Sequence, residues 1–167
     1  MDYFGSKEKL LESLIVYRTA DLRNSLEDIV IEKLKPVRKI EKFIQLYIEP
    51  IDNNRDFHHI LLLLLFKISS KKRAMDFESF NEIKKANTNS LITIITEGQS
   101  QNIFRNEINV HLIIPTIVGT YFYFQMHKSF FGTILTIDSN EKYNNYVKND
   151  LTNHIQKTIK SLLLHAN

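Results

Sequence analysis

The side chains able to do chemistry are present in this chain, but their spacing assembles none of the usual catalytic or metal-binding constellations. The six histidines are His58, His59, His111, His127, His154 and His165. No two stand three or four residues apart, the separation that puts two side chains on one helix face. His58 and His59 would point about 100° apart on a helix and cannot readily chelate one metal together. The absence of Cys removes thiol nucleophiles, disulfides and Cys-ligated metals, and is compatible with a reducing cytosol. There is no Gly-rich phosphate loop, Ser elbow or ordered acid pair. The sequence therefore predicts no enzyme, no metal and no cofactor.

What remains is a set of polar groups on otherwise apolar helix faces. Asn87 lies on the stripe formed by Phe80, Ile83, Leu91 and Ile94. A buried amide needs partners, so Asn87 serves either a helix-to-helix hydrogen bond or a polar contact inside a ligand cavity. Arg18 falls on the apolar stripe of the first helix, where an outward-reaching guanidinium on an apolar stem competes with an anion clamp. Val110–Lys128 has two apolar faces. One carries Leu112, Thr116, Gly119, Tyr123 and Met126; the other carries Ile114, Val118, Tyr121, Phe122 and Gln125. Two apolar faces need two things to bury them, such as a ligand cage and a second subunit.

The elements that must position these groups are helices. Only 4 Gly and 3 Pro occur, too little punctuation for the many turns of a β-protein. Apolar residues recur at three- and four-residue steps over Lys7–Lys35, through Leu11, Leu14, Ile15, Leu22, Leu26, Ile29, Val30 and Leu34, which predicts an amphipathic helix. Pro36 opens a second helix at a position that tolerates it, with Val37, Ile40, Phe43, Ile44, Tyr47 and Ile48 inward, ending at Pro50. Asp56–Ser69 is apolar on all sides through Ile60–Phe66, so other helices should surround it. The basic triplet Lys71–Arg73 then reads as a solvated helix end. A fourth helix spans Phe77–Glu97, with Gly98 as its stop. Asn109 is a plausible cap for a fifth, Val110–Lys128, in which Pro115 implies a kink or a true start nearer residue 114. Gly132 and Asp138–Asn140 read as a polar connection before a last helix, Glu141–His165.

The length of 167 residues with 43% hydrophobic and 25% charged content fits one soluble domain with a good core. A net charge of +3 is too mild to argue for nucleic acid by itself. No signal peptide opens the chain. Ile60–Phe66 is too short to cross a bilayer, which needs about 20 apolar residues. Ile108–His127 carries no formal charge, but Asn109, His111, Pro115, Gln125 and His127 suit a buried helix better than a span. No membrane association is expected.

Two short stretches carry a family resemblance. Tyr3-Phe4-Gly5-Ser6-Lys7-Glu8-Lys9-Leu10 combines an aromatic pair, a small residue, Ser, then Lys-Glu and a leucine. Gly5 suits the position just past a helix end, while Ser6 and Glu8 suit the start of the next helix. The octet resembles the junction, in tetracycline-repressor-like (TetR-like) bacterial transcription regulators, between the DNA-reading helix and the first long helix of the ligand-binding body. Glu97-Gly98-Gln99-Ser100-Gln101-Asn102-Ile103-Phe104 is similar to a stretch of the form EGxxxGxF in that family, with Asn102 where a second Gly is usual. The helix order, with two long C-terminal helices, is similar as well.

The resemblance implies an all-α bundle of about six helices. Residues 1–6 would be a remnant of the DNA-binding helix-turn-helix, and 7–167 the ligand-binding and dimerisation domain of a cytoplasmic repressor relieved by a small hydrophobic or aromatic ligand. Operator DNA is a partner expected only for an intact protein carrying its helix-turn-helix; Tyr3 and the phosphate-contacting lysine position, Lys7, are the DNA-backbone residues within this chain. The ligand cavity is expected among Tyr47, Leu61, Asn87, Leu91, Thr116 and Tyr123. A homodimer is expected on the last two long helices, through Val118, Phe122, Val147, Leu151, His154, Ile155, Thr158 and Leu162, giving a four-helix interface. The competing reading is a free-standing helical protein that binds a lipid-like or aromatic molecule and has no DNA role.

Overall fold

A computed structural model describes residues 7–53 and 78–165. Tyr3, the Asp56–Ser69 helix with Leu61 and the His58–His59 pair, and the Lys71–Arg73 triplet lie outside the described residues. Helix α1 spans Lys7–Ile31, α2 Pro36–Asn53 and α3 Glu78–Ser100. A single 3-10 turn, Val110–Leu112, leads into α4, Ile113–Met126, followed by the short α5, Lys128–Ile134. Helix α6, Asn140–Tyr146, runs through a π turn at Val147–Leu151 into α7, Thr152–Leu163. The bundle is all-α. Among the described residues the only extended pairing is an isolated bridge between Phe104 and Leu164.

Helices α1, α2 and α3 pack against one another, and α2 also packs on α4 and α7. Leu26 and Ile29 of α1, Phe43, Ile44 and Tyr47 of α2, and Leu91, Ile94 and Ile95 of α3 share one core with Ile117, Tyr121 and Phe124 of α4. Tyr143, Val147, Leu151, Ile155, Ile159 and Leu163 close it. The first turn of α2 shows why Pro36 is accepted there: the N–H that proline lacks would have no intrahelical partner in any case. At the start of α3, the Glu12 carboxylate of α1 accepts the Ser79 backbone N–H at 3.0 Å, which places negative charge at the positive helix end.

Two boundaries differ from the sequence expectation, each for a local reason. Helix α2 does not stop at Pro50 but reaches Asn53; less than one turn follows the proline, so little helix depends on the bond it lacks. Of the two alternatives for Pro115, the true start near residue 114 is the one observed, since α4 begins at Ile113 with Pro115 in its first turn; Asn109 makes no side-chain cap bond. Gly132 lies inside α5 rather than in a loop. That helix is held to the bundle by Phe131, whose ring stacks on Phe124 at 4.4 Å. The cap of α6 is Ser139, which accepts the Lys142 N–H at 3.2 Å.

Gly98 does not end α3 either. The helix ends in a Schellman arrangement in which the Ile103 N–H reaches the Gly98 carbonyl at 2.8 Å and the Asn102 N–H reaches that of Gln99 at 2.9 Å. Asn102 occupies the left-handed position this motif requires, with φ 58°, where Gly and then Asn are the favoured types. Its place at the usual second Gly of EGxxxGxF is thus a conservative exchange. Gly98 is needed for a different reason: the Phe104 ring lies against its Cα. Arg105 follows directly and closes the end of α7. Its backbone N–H donates to the Leu163 carbonyl at 2.8 Å, and its guanidinium donates to the carbonyls of Ser161 and Leu162. Carbonyls that a helix end leaves without partners are satisfied in this way, and the ends of α3 and α7 become tied together.

Two ion pairs fix the helices further. Lys39 is only 4% exposed; its ammonium donates to the Val30 carbonyl at 2.8 Å and to Glu97 at 2.7 Å, joining α1, α2 and α3. A buried charge is tolerable only when paired and hydrogen-bonded in this manner. Glu41 accepts from Lys160 and Arg38, each at 2.6 Å. The Lys160 hydrogen bond, followed by that from Arg38, holds its carboxyl below the usual range despite partial desolvation.

Candidate ligand site and subunit-facing surface

Apart from the Lys39–Glu97 pair, the facing surfaces of α2 and α3 carry polar side chains at one place. Tyr47 rises from α2 one turn after Phe43, with the two rings 5.0 Å apart. Asn87 comes from α3, on the stripe of Ile83, Leu91 and Ile94, and Ser90 lies buried one turn further on. Burial pushes the Tyr47 hydroxyl up to about 12, only partly offset by the neighbouring Asn87 amide, so the group remains a neutral phenol at any physiological pH. Asn87 is 6% exposed, and its Oδ1 has no hydrogen-bond partner. Leaving such an acceptor unpaired out of water costs about 1–3 kcal/mol.

Of the expected cavity residues, the structure brings together Tyr47, Asn87 and the fully buried Leu91. Thr116 and Tyr123 are not part of that group. Thr116 is half-exposed and turns its hydroxyl back to the Leu112 carbonyl at 2.7 Å. Tyr123 is 61% exposed and stacks on His127, 4.3 Å away. The inward positions of α4 are Ile113, Ile117, Tyr121 and Phe124, with Val118 and Phe122 half-buried against the same core.

The face with Leu112, Thr116, Gly119, Tyr123 and Met126 therefore looks outward, and Val118 and Phe122 look inward, the reverse of the sequence expectation. Both faces are apolar, so composition could not rank them. Spacing could not rank them either: 112, 116, 119, 123 and 126 alternate steps of four and three, and so do 114, 118, 121 and 125. Leu112, Tyr123 and Met126 are exposed, and a β-carbon added at Gly119 would meet nothing within 4 Å.

The expected dimer residues on the last helix divide in the same way. Val147, Leu151 and Ile155 are buried in the subunit's own core, which leaves them no surface to offer a partner. His154 and Leu162 are exposed and Thr158 half-exposed, on a helix that contacts α4 directly. Lys7 opens α1. Arg18 is exposed, in keeping with the outward-reaching reading. Among the described residues, no group of three or more His, Asp or Glu side chains could hold a metal ion, and no helix is long and apolar enough to cross a membrane.

Fold and surface together define an all-α domain that encloses a polar pair in an apolar interior and presents an apolar helix face outside. Residues 36–159 match the family model described as tetracyclin repressor-like, C-terminal domain. That span is most of the chain, and the protein belongs to this family. No curated protein and no solved structure matches it.

Proposed function

We propose that the chain is the ligand-sensing and dimerisation domain of a TetR-like transcription regulator. The family match over residues 36–159 carries this reading. In such a regulator the DNA-reading module is joined to the N-terminal end of α1. A small hydrophobic or aromatic ligand, entering beside Tyr47, Asn87 and Leu91, relieves repression by altering how two such modules are spaced. The regulator works as a cytoplasmic homodimer.

The exposed seam of α4 supports the dimer. Leu112, Thr116, Gly119, Tyr123 and Met126, with His154, Thr158 and Leu162 of α7, form the proposed interface; the open flank of Gly119 allows a partner helix to approach closely. Two helices from each subunit then make a four-helix contact. A Leu151→Glu substitution would unfold the subunit instead of testing this contact, because Leu151 is buried. Tyr123→Glu with Met126→Glu is the suitable variant, since both side chains are exposed. Sedimentation at low micromolar protein should show a dimer for the parent and a folded monomer for the variant. A monomeric parent, or a variant that stays dimeric, would refute this interface.

A further inference from the structure

The unpaired amide oxygen of Asn87 lies on a buried face of α3 that is otherwise aliphatic apart from Ser90. Leucine at 87 would continue the stripe of Ile83, Leu91 and Ile94, yet the position keeps an acceptor. The Tyr47 phenol lies beside the amide, and the amide atom left without a partner is Oδ1. The charged groups nearest along α3, Glu82, Lys84 and Lys85, are all exposed, and the buried Lys39 is paired with Glu97. A ligand seated here would meet the directed Asn87 acceptor and, among the described residues, no uncompensated buried charge.

We propose that Asn87 Oδ1 is the point at which the ligand is recognised, and that the ligand is a neutral, largely apolar ring compound presenting a single hydrogen-bond donor, a phenolic O–H or a heteroaromatic N–H. Tyr47 is a positioning residue that holds the amide in the accepting orientation. This rests on the sensor reading above and narrows its ligand from hydrophobic molecules in general to those with a donor. A cationic donor is disfavoured by the cost of desolvating a charge that has no counter-charge at the site among the described residues.

Matched probes that differ only in the donor test this: 2-naphthol against 2-methoxynaphthalene, and indole against N-methylindole, each titrated into the full chain by calorimetry. The donor member of each pair should bind the parent protein about tenfold more tightly, the gain of one hydrogen bond. Asn87→Leu should bind both members of a pair equally. Tyr47→Phe, which frees the amide to rotate, should narrow the preference without abolishing binding. Equal binding of the paired probes to the parent, or a preference that survives in Asn87→Leu, would overturn the donor rule and leave the sensor reading standing. Failure of all four probes to bind a folded parent protein would overturn both. The comparison on the parent decides the matter even if a variant does not fold.

Discussion

Replacing Gly98 by alanine should destabilise this protein, although the same change in an ordinary helix interior stabilises by about 1 kcal/mol. A β-carbon at 98 would stand 2.1 Å from Cδ2, 2.4 Å from Cε2 and 2.8 Å from Cγ of Phe104. Carbon atoms in favourable contact sit about 3.5–4.0 Å apart, so the ring must retreat by roughly 1.4 Å. It has little room to do so: Phe104 is 2% exposed, its N–H donates to the Gly98 carbonyl at 3.1 Å, and it is bridged to Leu164. Overpacking of this kind costs about 1–3 kcal/mol, and complete loss of a buried Phe about 3–5 kcal/mol. Set against the helix gain, the net loss should be about 2 kcal/mol, or a melting temperature lower by about 4–8 °C for a domain of this size. Urea denaturation should show a lower midpoint with an unchanged slope. In a Phe104→Leu background the cost of Gly98→Ala should shrink by about 1 kcal/mol or more, since the two sites are in contact. A neutral or stabilising Gly98→Ala, or strict additivity with Phe104→Leu, would refute the reasoning.

Tyr47 ties stability to alkaline pH. Its folded pKa, about 12, lies above its ordinary 10.0, so the contribution is complete below pH 10 and lost as pH rises through 12; over that window the parent should lose about 2–3 kcal/mol more than Tyr47→Phe, and parallel urea titrations of the two would contradict this. Asn102→Gly should be neutral or slightly stabilising, whereas Asn102→Val should cost about 1–2 kcal/mol, because its φ of 58° is one that β-branched residues resist; equal midpoints for the two variants would count against the assigned turn.

The sequence already showed the helical stripes, the place of Asn87 among apolar neighbours, and the inward positions of α2, because each rests on local periodicity. It was silent where packing decides between equal candidates. Both faces of α4 are apolar, and only the positions of the other helices select Ile117 and Tyr121 over Tyr123 and Met126. The role of Gly98 depends on a ring six positions on that folds back across a turn, so a stop signal was the natural reading. Helix α5 is too short for a periodic pattern to emerge. The π turn at Val147–Leu151 did leave a trace: Tyr143, Val147, Leu151, Ile155, Ile159 and Leu163 are all buried at unbroken steps of four. On a regular helix each such step drifts by about 40°, and a wider turn partway along takes back some of that drift.

The Lys39 tie has a mechanical consequence. Asn87 and Glu97 lie on one helix, about 15 Å apart along its axis, and Glu97 is joined through a single ammonium to the carbonyl of Val30 near the end of α1. The ammonium is buried although Glu97 is partly exposed, and a buried ammonium stripped of its carboxylate is unfavourable, so the pair has little tolerance for stretching. A shift of α3 would therefore either carry the end of α1 with it or disengage the contact outright. The connection behaves as a clutch, so movement begun at the polar pair would reach α1 in steps and not in proportion.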